Sequence, residues 1–170
     1  KIIKIAKIFK CKKIIVGSSR FRDNKNLSKI KSDIIFVNFF KKISTLLKKE
    51  KISICIETIP SNYGEKYLHN IDHLTNLIKK IKSPWVKINF DSSLFHFKKF
   101  DSKIFKKNFR YINNIQISEK KFDFFIKPSI SNMSFSKLLK KNKKIKNVSL
   151  EIISNKTKLL SIEKSLKNLN

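Results

Sequence analysis

Short apolar runs alternate along this chain with longer, Lys-rich segments of helical period, and that alternation constrains the fold more than any other feature. The apolar runs at 12–17, 52–58, 85–91, 111–118 and 147–153 predict five strands. The spacing predicts helices over about 28–50, 71–81, 101–109, 134–142 and 158–168. In the first helix Ile35, Phe36, Phe39, Phe40, Ile43, Leu46 and Leu47 recur at three- and four-residue steps, which predicts one buried face. Strand–helix connections of this length imply parallel strands and right-handed crossovers. The class is therefore α/β. The 170 residues suit one core-bearing domain, with no linker to divide it.

In parallel α/β folds the chemistry sits at the carboxyl ends of the strands. The residues there are Gly17-Ser18, Glu57, Asp91, Gln116 to Ser118, and Glu151. Three of these are carboxylates that close apolar runs. Burying a carboxylate among apolar neighbours is costly, and a hard divalent cation offsets that cost by drawing on several oxygen ligands. Each one alone reads as a loop cap or a lysine partner. Three on separate β/α units read together as most of a metal site.

Composition excludes several classes. Hydrophobic residues make up 41% of the chain, enough to build a core. No uncharged apolar run reaches the length of a membrane span. The opening KIIKIAKIFKCKK lacks the separate apolar core and cleavage site of a signal peptide. The net charge of +28 would suit a polyanion partner. Yet Arg20, Arg22 and Arg110 are the only arginines among 40 basic residues, and Gly numbers 2 and Pro 3. That is the imprint of an A/T-rich genome, which raises Lys everywhere. Specific nucleic-acid contacts favour Arg, so salt-sensitive, nonspecific attraction is expected instead. Cys11 and Cys55 form no CxxC pair and are expected to be reduced, as in a cytoplasmic protein, with Cys55 in the core. His69 and His73 are expected on a solvated helix face and His96 in an ordinary loop or surface position.

The ordered segments ICIETIPSNYG, SPWVKINFDSS, INNIQISE and NVSLEII resemble the xylose-isomerase-like TIM-barrel superfamily. More narrowly, they are similar to bacterial sugar phosphate isomerase/epimerase proteins. IIVGSSRFRD resembles that group's Gly-Ser-Pro turn followed by Arg, with Ser19 in place of the Pro and Arg22 on the Arg. The separations match: 34 residues from Glu57 to Asp91, 25 to Gln116 and 35 to Glu151. The resemblance covers nearly the whole chain and implies a partial TIM (β/α)8 barrel comprising strands four to eight. On that basis about 80–100 residues of a barrel of about 250 would precede Lys1, or a second copy or complementing chain would close it.

The resemblance also implies roles. Glu57, Asp91, the residue at Gln116 and Glu151 would hold Mn, Mg or a similar divalent ion. Glu57 and Glu151 would exchange protons with the carbons of a sugar or sugar phosphate, while the ion stabilises an enediolate-like intermediate. Arg22, Asn114 and Ser118 would contact the substrate. Two departures matter. The related group reads His-Phe-His-Ile-Ser-Glu where this chain has Asn114 to Glu119, so Gln116 replaces the His ligand with a neutral amide. Some epimerases carry a substrate-contacting His at the position of Leu94. These departures support a second expectation, a non-catalytic relative that keeps the scaffold without a complete metal site.

Overall fold

The computed structural model describes residues 1–18, 22, 24, 27–123, 125, 127–145, 148–152 and 167. The chain is α/β, with ten main elements among the described residues. These are α1 (Ile2–Ile8), β1 (Lys13–Val16), α2 (Lys29–Glu50), β2 (Ser53–Glu57), α3 (Ile71–Ile81), β3 (Val86–Asp91), α4 (Ser102–Asn108), β4 (Ile112–Ser118), α5 (Ile130–Lys140) and β5 (Ser149–Glu151). The strands form one sheet in the order β1-β2-β3-β4-β5. They are parallel, in the arrangement of a partial TIM barrel. All five strand expectations are met. The helix expected over 158–168 and the residue Ser19 lie outside the described residues. α1 was not anticipated, and α5 starts earlier than its apolar spacing suggested.

Local chemistry sets the helix starts. Ser28 Oγ accepts from Lys31 N, Asn70 Oδ1 accepts from Asp72 N and His73 N, and Ser129 Oγ accepts from Asn132 N. Each cap satisfies amides that have no partner within their own helix. The Ser129 cap explains the early start of α5, because a polar cap leaves no apolar period to read. Lys51 and Lys82 end α2 and α3 in the left-handed conformation, at φ 53° and 56°, where Gly is usual. A chain with only 2 Gly uses Lys there instead.

Two compact units divide the residues: Lys1–Phe90 with Asn108–Asn114, and Asp91–Lys107 with Ile115–Asn170. In the first unit the register pairs Lys13 with Ser53, Val16 with Ile56, Ile54 with Val86 and Glu57 with Asn89. Four of the five residues of β2 and five of the six of β3 are buried, as expected of strands covered on both faces. Leu74, Leu77, Ile78 and Ile81 bury the inner face of α3, and Cys55 is fully buried as expected. Burial pushes its thiol up to about 11, which leaves it protonated and inert.

The predicted face of α2 is partly corrected. Phe40 and Leu47 are buried, together with Ser32 and Val37, but Ile35, Phe39 and Leu46 are exposed. Apolar residues in α2 span a wider arc than one helix neighbour covers. Spacing alone does not show which flank of that arc turns inward.

In the second unit β4 pairs with β5, with Gln116 opposite Ser149 and Ser118 opposite Glu151. Its core is aromatic. The Phe135 ring lies 5.4 Å from Phe105, 5.8 Å from Phe100 and 6.2 Å from Phe95. Among the described residues no helix is long and apolar enough to cross a membrane.

Candidate functional site

Three strands end on carboxylates: β2 on Glu57, β3 on Asp91 and β5 on Glu151. In the second unit Asp91 is buried. Its Oδ1 accepts from the Ser93 backbone N–H at 2.5 Å and from Ser118 Oγ at 2.7 Å. Its Oδ2 is also buried and has no hydrogen-bond partner among the described residues. An unmatched carboxylate oxygen is expensive to bury. Burial pushes the Asp91 carboxyl up, opposed by the Ser118 and Ser93 hydrogen bonds and by the charge of His96. Glu151, half-buried, is pushed up to about 7, first by burial and then by the charge of Asp91. Two carboxylates that repel each other around an unsatisfied oxygen form an arrangement that a cation would relieve.

Ser118 is held tightly. Its carbonyl accepts from His96 Nε2 at 2.7 Å, Asn132 Nδ2 at 2.8 Å and Ser92 Oγ at 3.1 Å. Asn132 Nδ2 also donates to Glu119 Oε1, which accepts from Ser129 N as well. His96 is therefore buried and built into the strand end, which corrects the expectation of an ordinary loop or surface histidine.

In the first unit Glu57 is buried, and its Oε2 accepts from Asn89 Nδ2 at 3.2 Å. Asn89 Oδ1 in turn accepts from Asn114 Nδ2 at 2.8 Å. The Arg22 guanidinium donates from Nη1 to the Glu57 carbonyl at 2.6 Å and from Nε to the Ser18 carbonyl at 3.0 Å. Its Nη2 pairs with Glu65 Oε2 at 2.8 Å. Glu65 Oε1 accepts from the Tyr67 and Leu68 N–H groups. A Cβ added at Gly17 would collide with the Glu57 carboxylate, so Gly17 clears the space that this side chain occupies.

Away from the strand ends, His69 is exposed as expected, but it lies just before α3 and not on its face. His73 is not fully solvated. Its Nε2 lies 2.8 Å from Asp33 Oδ1, which also accepts from Tyr67 Oη. Gln116 is half-buried on β4, in register with Ser149. The sequence did not single out Asn89, Glu65 or Gly17 in these contacts. Asn89 had one readable signal, because it lies two residues before Asp91 and period two puts both on one face of the strand.

The parallel sheet with acidic strand ends defines a protein of the partial α/β barrel type, a fold whose functional sites sit at the carboxyl ends of the strands. The model of the xylose isomerase-like TIM barrel family matches residues 1–154, and the chain belongs to that family. Solved structures show the same fold. An AP endonuclease of family 2 from Brucella melitensis matches with TM-score 0.74 and 14% identity, over 96% of this chain and 64% of its own. A 3-keto-D-glucoside 4-epimerase from E. coli matches with TM-score 0.78 and 11% identity, over 99% of this chain and 67% of its own. IolI protein with a binding zinc atom matches with TM-score 0.74 and 14% identity, over 98% of this chain and 64% of its own. The chain therefore spans about two thirds of the length of these structures. No match to a curated protein was found.

Proposed function

We propose that the chain carries the metal-holding part of a sugar or sugar phosphate isomerase or epimerase, a single partial barrel domain acting in the cytoplasm. The observation that carries this reading is the buried Asp91 Oδ2, without a hydrogen-bond partner among the described residues, while burial and the charge of Asp91 raise Glu151. Asp91 and Glu151 would be acidic ligands of a cation, Glu57 would join them as the family resemblance implies, and Gln116 would add an amide oxygen from β4. An all-oxygen donor set suits a hard ion such as Mg or Mn better than zinc. The family membership and the epimerase neighbour support a sugar as substrate.

A divalent ion bound there would supply positive charge to the carbonyl and hydroxyl oxygens of the substrate. The protein's own part is proton transfer. Glu151 takes the hydrogen from the carbon beside the carbonyl, and the C–H electron pair moves toward the carbonyl oxygen. Glu57, protonated beforehand from solvent, returns a proton from the other side and is left as the carboxylate. The hydrogen bonds of Arg22 and Ser118 give both residues a holding role at the strand ends in this reading. Direct substrate contact falls to groups that line the same face.

The test is solvent exchange. Incubated in deuterated buffer with Mn or Mg, the chain should incorporate deuterium beside the carbonyl of a pentulose, a hexulose or one of their phosphates, and EDTA should stop it. One bound ion per chain with no exchange in any of these sugars would sink the enzyme reading. The second reading, a non-catalytic relative, would then hold. Gln116 in place of the family's His ligand is the feature that favours it.

Gly17→Ala tests the Glu57 end of the site. The new methyl displaces the Glu57 carboxylate from its hydrogen bond with Asn89, so stability should fall by about 1–3 kcal/mol. Mn affinity should fall by at least about tenfold. Titration of Mn beside a thermal melt checks both.

A further inference from the structure

We infer that Asn89 and Asn114 form a directional amide relay that positions Glu57, so that both are positioning residues of the site. The inference rests on the proposed metal site.

Glu57 and Asn89 are register partners on parallel strands, so their side chains project from the same face of the sheet. Asn89 is completely buried. An ionised carboxylate only accepts hydrogen bonds, so the Asn89 amide turns its NH2 toward Glu57 Oε2. That choice fixes the rest of the relay. Asn89 Oδ1 now points away from Glu57 and requires a donor, which Asn114 supplies from Nδ2 at 2.8 Å. Each amide therefore has one orientation, set by the carboxylate at the end. The relay holds Glu57 Oε2 in place. Any ligand atom that Glu57 offers is thus oriented from behind, as ligating carboxylates usually are.

The relay also gives Asn114 a role distinct from substrate contact. It sits where the related group carries the first His of its His-Phe-His stretch, and here its amide is turned onto Asn89. An Asn at 114 and an Asn at 89 make one device, because Glu57 orients Asn89 and Asn89 in turn orients Asn114.

The test is a mutant cycle read by Mn affinity, with Mn as the only probe. Electron paramagnetic resonance titration of the full chain gives free Mn. Asn89→Leu should weaken Mn binding by about 10–100-fold, and Asn114→Leu by about fivefold, the worth of one ordinary hydrogen bond. The double variant should bind no more weakly than Asn89→Leu alone, because Asn114 acts only through Asn89. A purely structural role would lower the melting temperature in EDTA without this non-additive pattern in affinity. Native affinity in a folded Asn114→Leu chain, or losses that add in the double variant, would overturn the relay. Should Asn89→Leu fail to fold, Asn114→Leu decides alone. A native chain that binds no Mn would overturn the metal reading and the relay with it. Native binding left unchanged in the variants would overturn the relay only.

Discussion

Replacing Glu151 by Gln is expected to lower metal-dependent exchange of the sugar hydrogen by about 10²–10⁴-fold, the usual worth of a positioned acid or base. Gln keeps the size of the side chain and one ligating oxygen but cannot accept a proton. Glu151 suits a base at neutral pH, because burial and the nearby Asp91 push its carboxyl up to about 7 from the ordinary 4.5. The same shift has a sign that can be checked without substrate. Between pH 4.5 and 7 the folded chain holds a proton on Glu151 that the unfolded chain has released. Stability from this group is therefore full below pH 4.5 and is lost as the pH rises toward 7. In EDTA the urea midpoint of the native chain should fall from pH 5 to pH 8, and Glu151→Gln should flatten that fall. Glu151 is only half-buried, so solvent screening keeps the slope modest. Exchange that persists at the native rate in Glu151→Gln would remove this residue from the chemistry.

The alternation of strands and helices was legible because it depends on period and length, which a sequence displays directly. The acidic strand ends were legible for the same reason, since the carboxyl end of each apolar run is visible in the chain. The partners of those carboxylates were not. Asn89, Asn114, Glu65 and Ser118 act through contacts between segments, and no spacing reports a contact made 25 to 43 residues away. His96 looked like a loop residue because the short turn at Ser92–Phe95 has no apolar period, yet its ring is buried against the Ser118 carbonyl. In α2 the period was real, but the choice of inward flank belongs to the neighbour it packs on.

Arg22 shows how far a motif alone can lead. As an Arg after a Gly-Ser turn, it was expected to contact the substrate. In the structure Nε and Nη1 donate to the Ser18 and Glu57 carbonyls, and Nη2 lies 2.8 Å from Glu65 Oε2 as an ion pair without hydrogen-bond geometry. The charge balance of this pair predicts a large effect. The Arg22 and Glu65 side chains are 10% and 1% exposed. Burial lowers the pKa of Arg22, and the charges of Glu65 and then Glu57 oppose that shift. Arginine does not lose its proton in proteins, so removing Glu65 leaves a buried charge with no route to neutralise. Glu65→Ala should therefore lower stability by about 3–5 kcal/mol, seen as a large drop in the urea midpoint. It also removes the acceptor for the Tyr67 and Leu68 amides. Glu65→Gln keeps that acceptor and should cost less. Replacing both partners, as Arg22→Met with Glu65→Leu, should cost less than Glu65→Ala, because no charge is then stranded. A loss below about 1 kcal/mol in Glu65→Ala would mean that the pair behaves as a solvated surface contact. The same series bears on the site, since Arg22 ties the Glu57 carbonyl in place. If that tie matters, folded Glu65→Gln should also bind Mn more weakly than the native chain.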